Sequence, residues 1–252
     1  SLRGVLIHDF IHKSLLSQKI ESNYIYYFDD FDPMDGLPVY LNQEKYSQFM
    51  GKPLVEVPAP EGDKSFARYY SDDFQEVFNK LGAKPEIVYT SELYKSGKFD
   101  ESIRLVLDNA ERIQEIYHQV SGSEKQKNWL PFQPLCPECG KIGTTQATEW
   151  DGAEVTFTCE PDLVKWAKGC GYHGKVSPFG GTGKMPWKVE WAAKWSVFGT
   201  TIEGAGKDHS SKGGSRDVSN HIFQEIFQKE PINDIPYEHI LFGGKKMSSS
   251  KG

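Results

Sequence analysis

Residues 246–252 read Lys246-Met247-Ser248-Ser249-Ser250-Lys251-Gly252, and the pair Gly243-Gly244 precedes them. The stretch offers two lysines and three serine hydroxyls, with glycines on both sides. Lysine is a compact cation that neutralises phosphate charge, and hydroxyls and backbone amides add hydrogen-bond donors. This composition is suited to a flexible loop that folds over a triphosphate. Taken alone, it is more typical of a disordered linker.

Two glycine-rich turns lie upstream of this loop. The first reads Gly204-Ala205-Gly206-Lys207-Asp208-His209, and the second reads Gly213-Gly214-Ser215-Arg216-Asp217. The second turn precedes apolar residues at helical spacing, which predicts an amphipathic helix with Ser215 or Asp217 near its cap.

Three tryptophans, Trp187, Trp191 and Trp195, recur at every fourth position before these turns. This spacing predicts a helix, and for the latter two it is more typical of a packed core than of a binding pocket. On the other side of the turns, residues 240–242 read as a buried strand that enters the lysine-rich loop.

A continuous apolar run in the first part of the chain, Tyr24-Ile25-Tyr26-Tyr27-Phe28, ends in Asp29 and Asp30. A run of this kind is typical of a parallel strand covered on both faces, and residues 2–19 before it predict a helix. Open α/β sheets bind ligands at the carboxyl ends of their strands, so both aspartates are candidate binding residues. An alternative is that they only cap the turn that follows.

Helices and strands continue to alternate downstream. Ser71 is predicted to cap a helix, and residues 86–90 read as a short strand. Residues 101–120 place their apolar side chains on one stripe, which predicts a single long amphipathic helix. The alternation predicts an α/β fold.

The four cysteines are separated by two, nineteen and ten residues, at Cys136, Cys139, Cys159 and Cys170. Zinc prefers four tetrahedral thiolate or imidazole ligands, and glycines after cysteines permit the tight turns of such sites. His173 is an alternative to Cys159 as the fourth ligand, but four cysteines leave no thiol unexplained. A shell filled by four protein ligands indicates a structural zinc and not a catalytic one.

Amino-acid composition and net charge argue against a membrane protein and against a DNA-binding protein. The 252 residues are 38% apolar, and no apolar run approaches the roughly 20 residues that span a bilayer, so we expect a cytoplasmic protein without membrane contact. The net charge of -6 argues against a general polyanion-binding surface and therefore against DNA binding. Residues 165–252 carry +5 and residues 1–164 carry -11, so a phosphate-bearing ligand is expected on the C-terminal third.

The stretch 246–250 resembles the KMSKS loop of class I aminoacyl-tRNA synthetases, and its Met-Ser-Ser-Ser-Lys-Gly form is similar to class I lysyl-tRNA synthetases in particular. The family's second lysine falls on Ser249 here, and Lys251 is its substitute. Four further parts of the chain resemble the same family: the cysteine knuckle, Asp29-Asp30, residues 184–195 and residues 206–215. The matches span nearly the whole chain.

The resemblance implies a fold, an activity and the site residues. The fold is a Rossmann-like α/β catalytic domain with an inserted α+β region that contains a zinc ribbon-like module. The activity is the ATP-dependent activation of lysine, with Mg²⁺, and transfer of the lysyl group to the acceptor end of tRNA. The implied catalytic residues are Lys246, Ser248, Ser249 and Lys251; the ATP-binding residues are Gly204, Gly206, Asp208 and Met247; the amino-acid-binding residues are Asp29, Asp30, Trp187 and His209.

The order of motifs predicts four segments. Residues 1–60 and 184–252 are the two parts of the catalytic domain, residues 61–129 are a helical and mixed insert, and residues 130–183 are the zinc-binding module. The HIGH-type motif of the family is expected just upstream of Ser1, and the anticodon-reading region downstream of Gly252. This stretch is therefore expected to be inactive alone.

Two alternatives stay open at this point. One is a class I synthetase for glutamate or cysteine, which would have a basic pocket or a metal with an open ligand position in place of an acidic pocket. The other is a non-catalytic RNA-binding relative that retains the zinc module.

Overall fold

The computed structural model describes residues 1–238 and 241–246. The helices are α1 (Leu2–Ser17), α2 (Gln43–Ser47), α3 (Phe66–Lys80), α4 (Thr90–Lys95), α5 (Asp100–Asp108), α6 (Ala110–Ser121), α7 (Trp187–Phe198) and α8 (Ser215–Glu225). The strands are β1 (Ile25–Phe28), β2 (Glu86–Tyr89), β3 (Gln133–Pro134), β4 (Thr145–Trp150), β5 (Val155–Cys159), β6 (His173–Val176), β7 (Gly183–Lys184), β8 (Ile202–Gly206), β9 (Asn233–Tyr237), β10 (Leu241–Phe242) and β11 (Lys245–Lys246).

Two parallel strand pairs form the α/β part of the molecule. Strand β1 pairs with β2, from Ile25 opposite Glu86 to Phe28 opposite Tyr89. Strand β8 pairs with β9, from Ile202 opposite Asn233 to Gly206 opposite Tyr237. Each pair is connected through a helix, as parallel strands require, and the predicted α/β class is confirmed.

The middle of the chain forms an antiparallel sheet in the order β4-β5-β6. Next to it, strand β3 pairs with β7, so that residues 133–134 meet residues 183–184 and close the segment between them. The main hydrophobic core joins this sheet to helices α5 to α8 through Phe157, Ile113 and Trp195. A separate cluster packs α1 and α3 against β1 and β2.

Helix α3 differs from the prediction at its start. It begins at Phe66, and the Ser65 side chain caps it by accepting a hydrogen bond of 3.2 Å from the Arg68 amide. Ser71 is buried within the helix, where its hydroxyl lies 2.9 Å from that of Tyr89. The prediction of Ser71 as the cap is wrong, because the helix begins earlier and Ser65 already caps it.

The predicted single helix over residues 101–120 is two helices, α5 and α6, which meet at Asn109. The Asn109 side chain donates a 2.8 Å hydrogen bond to the Leu105 carbonyl, and this local bond replaces helical continuation. The apolar stripe nevertheless continues across the break, since Ile103, Leu107 and Ile113 are all buried.

The predicted helix after residue 214 is confirmed, with Ser215 and Asp217 near its cap. Gly214 is the N-cap of α8, Ser215 is its first residue, and Asp217 in its first turn accepts a 2.8 Å hydrogen bond from the Gly213 amide. Ile240 lies outside the described residues, and Leu241 in β10 is 60% exposed. The strand expected at residues 240–242 is therefore a short hairpin strand, Leu241–Phe242, paired with β11, and its Leu241 side chain is exposed and not buried.

Among the described helices, none has both the length and the apolar character needed to cross a membrane.

Candidate active site

A cavity of about 1200 Å³ lies between the two parallel pairs. Strands β1 and β8 line it on opposite sides, and helices α1 and α7 contribute the remaining walls. Six of the predicted site residues line it: Asp29, Trp187, Gly204, Gly206, Asp208 and His209. The structure thus brings residues of the predicted ATP and amino-acid sites into one cavity.

Helix α7 presents an aromatic wall to the cavity. The ring of Trp187 stacks on Trp191 with centroids 5.4 Å apart, and Trp191 lies 5.5 Å from Trp195. His209 meets the Trp187 ring edge-on at 5.4 Å and the Trp191 ring at 6.1 Å. Trp187 is 40% exposed while Trp195 is 1% exposed, so the three tryptophans pass from pocket to core along one helix face.

Glu203 on β8 fixes this wall, and the sequence analysis did not single it out. Its carboxylate accepts hydrogen bonds from the indole nitrogens of Trp191, at 2.9 Å, and of Trp195. The buried Arg216 guanidinium lies over the same two rings at 5.8 and 5.3 Å and 3.2 Å from Asp234. Burial lowers the pKa of Arg216, and the nearby carboxylates of Glu203 and Asp234 act in the opposite direction.

Asp29 joins the cavity to a chain of buried ion pairs. Its carboxylate contacts the Lys194 ammonium, which also lies 2.8 Å from Glu190. Desolvation by the surrounding walls raises the pKa of Asp29, and the adjacent Lys194 opposes that shift. Lys194 and Glu190 are separated by four positions on α7, and this charged pair among tryptophans was the available sequence signal for the site.

Asp30 has a different role from its neighbour. It is 2% exposed and accepts hydrogen bonds from the Ser91 amide at 2.8 Å and the Ser91 hydroxyl at 2.6 Å. Among the described residues that line the cavity, Asp29 is present and Asp30 is absent. Asp30 lies in the turn after β1, and its hydrogen bonds to Ser91 anchor the end of β1 to α4. Its assignment as a binding residue stays a prediction.

The glycine-rich segment follows β8 along the cavity. An added Cβ on Gly204 would lie 2.9 Å from the Ile235 carbonyl oxygen, so the close strand pairing requires glycine there. The Gly204 amide donates a 2.8 Å hydrogen bond to the Nε2 atom of His8, a helix α1 residue that the sequence analysis missed. Gly206 ends the strand and Asp208 follows two positions later, and both residues line the cavity.

The lysine-rich loop is described only at its beginning. The backbone of Lys246 belongs to strand β11, opposite Leu241, and Gly243 and Gly244 form the connecting turn with φ of 56° and 76°. The other site residues predicted there, Met247, Ser248, Ser249 and Lys251, lie outside the described residues.

The four cysteines meet in one cluster. The sulfurs of Cys136, Cys139, Cys159 and Cys170 all lie within 4.8 Å of one another, with 3.5 Å between Cys136 and Cys170. Tetrahedral zinc with bonds of about 2.3 Å separates its thiolates by roughly 3.8 Å, so the spacing suits that ion. His173 is not part of this cluster of described residues; its Nδ1 atom lies 3.1 Å from the Thr158 hydroxyl.

The backbone around the cysteines has the geometry expected of a metal knuckle. Gly140 and Gly171, each directly after a cysteine, adopt left-handed conformations with φ of 68° and 83°. The Cys170 amide points at the sulfur of Cys159 at 3.4 Å. These features confirm the predicted clustering of four cysteines, and they match the hydrogen bonds from backbone amides to sulfur that are typical of thiolate sites.

Comparison with known proteins gives one family match over the entire chain. The model of the family described as tRNA synthetases class I (K) matches residues 1–252.

Individual relatives agree with this match. The lysine–tRNA ligase of Methanosarcina barkeri is 38% identical over 254 residues, which is 100% of this chain and 46% of that protein. The lysine–tRNA ligases of Picrophilus torridus and Archaeoglobus fulgidus are each 36% identical, again over 100% of this chain and over 48% and 49% of their own lengths. The chain spans about half the length of these relatives.

Proposed function

Because this chain belongs to the family of class I (K) tRNA synthetases, we propose that it forms part of the catalytic domain of a lysine–tRNA ligase. The carboxylate of lysine attacks the α-phosphate of ATP, which gives lysyl-adenylate and releases pyrophosphate. The terminal ribose hydroxyl of tRNA then attacks the lysyl carbonyl and releases AMP. The protein would act in the cytoplasm, where tRNA is used.

The observation that carries this proposal is the convergence of Asp29, Trp187 and His209 on one cavity with the glycine-rich end of β8. A substrate with an aliphatic chain and an ammonium needs an apolar surface and an anion. Trp187 supplies an exposed indole face for the methylenes, and Asp29 supplies a carboxylate for an ammonium group. A carboxylate in the cavity favours the cationic side chain of lysine over the anionic side chain of glutamate as the substrate.

The ATP side of the site is assigned to Gly204, Gly206 and Asp208. Glycines let the nucleotide approach the backbone of β8, and the Asp208 carboxylate can accept hydrogen bonds from both ribose hydroxyls. We assign the triphosphate to the loop 246–252, where Lys246 and Lys251 would stabilise the charge that develops on pyrophosphate. Mg²⁺ bound with the phosphates would share that charge.

We assign a structural zinc ion to the four cysteines. Four thiolates complete a tetrahedral shell and leave no position for water, so the ion would hold the β4-β5-β6 segment in shape without taking part in the reaction. In this organisation residues 130–183 form a zinc ribbon-like module, residues 61–129 a second insert, and residues 1–60 and 184–252 the catalytic domain.

Amino-acid-dependent exchange between ATP and labelled pyrophosphate tests the proposal in the complete protein. We expect exchange with lysine at a rate at least about tenfold above that with glutamate or cysteine, since only a cationic side chain pairs with Asp29. Exchange with glutamate or cysteine and none with lysine would overturn the substrate assignment. A protein that binds no ATP in calorimetric titration would instead be a non-catalytic RNA-binding relative.

A further inference from the structure

Five charged side chains form a continuous series of ion pairs beneath the cavity, which we call the charge ladder. In order its members are Asp32, Lys184, Glu190, Lys194 and Asp29. The central Glu190 is 0% exposed; its carboxylate lies 3.1 Å from Lys184 and 2.8 Å from Lys194. It also accepts a 2.7 Å hydrogen bond from the hydroxyl of Tyr94, which the Met185 amide holds in turn.

Along the ladder, ion pairing counteracts the effect of burial on Glu190, Lys184 and Lys194, while burial still raises the pKa of Asp29 at the cavity end. Burial alone would raise the pKa of Glu190, but the two lysines lower it to about 2. Burial would lower the pKa of each lysine, yet Asp29 and Glu190 raise that of Lys194, and Glu190 and Asp32 raise that of Lys184. Three carboxylates and two ammonium groups give the ladder a net charge of -1.

The two ends of the ladder differ in what they face. Asp29 and Lys194 line the cavity, and the Asp29 side chain is 39% exposed there. Among the described residues that line the cavity, Asp32, Lys184 and Glu190 are absent, and the Asp32 side chain is 36% exposed outside it. Within the cavity, the ladder presents a carboxylate through Asp29.

Lys194 would by itself oppose a cationic ligand. An isolated Asp29–Lys194 pair has no net charge, and the ammonium of Lys194 would repel that of the ligand. Glu190 removes this problem because it neutralises Lys194 from beneath, at 2.8 Å, on the side away from the cavity. What remains is a carboxylate held in one orientation by Lys194, with its charge uncompensated.

We propose that Lys194 and Glu190 are positioning residues which fix Asp29 as the ammonium acceptor of the cavity and thereby set its preference for a cationic amino acid. This inference rests on the proposed lysine activation. It assigns substrate selectivity to two residues of α7 that act through Asp29, and it leaves Lys184 and Asp32 with a purely structural role.

The matched variants Lys194→Met and Lys184→Met test the inference, since each removes one buried lysine from Glu190 but only the first removes the partner of Asp29. In pyrophosphate exchange with the complete protein, we expect Lys194→Met to raise KM for lysine at least about tenfold, with KM for ATP changed less than about twofold. Lys184→Met should leave KM for lysine within about twofold of wild type. Lys194→Arg, which keeps a charged donor, should restore most of the loss.

A double variant separates positioning from general structural damage. In an Asp29→Asn background, Lys194→Met should add less than about a twofold change in KM for lysine, because its effect passes through Asp29. Asp29→Asn/Lys194→Met also removes both charges of one pair, so it remains measurable where Lys194→Met alone fails to fold. The inference would be overturned if the two single-variant effects on KM for lysine multiplied in the double variant. It would also be overturned if Lys194→Met and Lys184→Met changed KM for lysine and KM for ATP equally. Wild-type protein without lysine-dependent exchange would overturn the proposed function instead.

Discussion

At Gly169 a methyl group has no room. An added Cβ would lie 2.7 Å from the carbonyl carbon and oxygen of Cys159 and closer still to the Glu160 carbonyl oxygen. The close approach lets the chain before Cys170 cross the end of β5, so that Cys170 reaches the other sulfurs. The identity of one residue outside the cysteine set therefore governs the geometry of the cluster.

We expect Gly169→Ala to lower the free energy of unfolding by about 1–3 kcal/mol, because backbone atoms cannot move aside as a side chain does. Denaturant unfolding followed by tryptophan fluorescence measures this. Gly36→Ala is the matched control: Gly36 is exposed and an added Cβ meets nothing within 4 Å, so its change should stay within about 0.5 kcal/mol. Similar values for the two variants would contradict the steric argument.

At the scale of elements, the hairpin of β4 and β5 depends on a side-chain cap at its turn. The Asp151 carboxylate accepts hydrogen bonds from the amides of Glu154, at 2.8 Å, and Ala153, at 3.0 Å, and it pairs with Lys175 on β6. Gly152 within the turn has φ of 92°. The turn thus uses aspartate and glycine for the reasons that these residues favour tight turns.

The pH dependence of stability tests this cap. The two amides and Lys175 lower the pKa of Asp151 to about 2, below its ordinary value, so its stabilising effect is present above about pH 4 and is lost as the pH falls toward 2. Asp151→Ala should therefore lower Tm at pH 7, and the difference from wild type should shrink as the pH approaches 2. The exposed Asp63 gives the control variant Asp63→Ala, whose Tm should follow that of wild type throughout. A difference that persists unchanged at pH 2 would refute the assignment.

At the scale of the whole molecule, the cysteine cluster joins three separate segments of the chain. It connects the loop after β3 to the end of β5 and to the loop before β6. In the loop after β3, the Ile142 amide also donates a 2.8 Å hydrogen bond to the Gly51 carbonyl, so the cluster is tied to the first part of the chain. A metal ion bound by the four cysteines would therefore stabilise the contact with Gly51 as well as the loops that carry the cysteines.

Metal analysis of purified protein tests the proposed ligand set. We expect one zinc per chain in wild type and in His173→Ala, since that imidazole contacts Thr158 and lies outside the cluster. Cys159→Ser should lose most of the zinc and should unfold at a lower temperature, because three remaining thiolates bind the ion more weakly. Loss of zinc from His173→Ala with retention in Cys159→Ser would reverse the assignment.

Several features were predictable because they depend on short-range chemistry. The clustering of the cysteines, the left-handed glycines after them and the helical repeat of tryptophans are local patterns, and the structure has them where they were expected. Of the predicted turn at residues 204–209, residues 204–206 belong to strand β8 and residues 207–209 form the turn. The start of α3 and the break at Asn109 were missed although they are local, because several serines and asparagines can cap a helix and tertiary packing selects among them.

By itself the sequence determined the α/β class and the family to which the chain is similar, since each depends on the order of residues along the chain. The tertiary structure alone brought Cys159 and not His173 into the cysteine cluster, turned Asp29 to the cavity and Asp30 to Ser91, and assembled the charge ladder. Asp29 and Lys194 are 165 positions apart, and Asp32 and Lys184 are 152 apart. Pairings over such distances depend on how β1 packs against α7, because buried charges require partners but no local pattern specifies which ones.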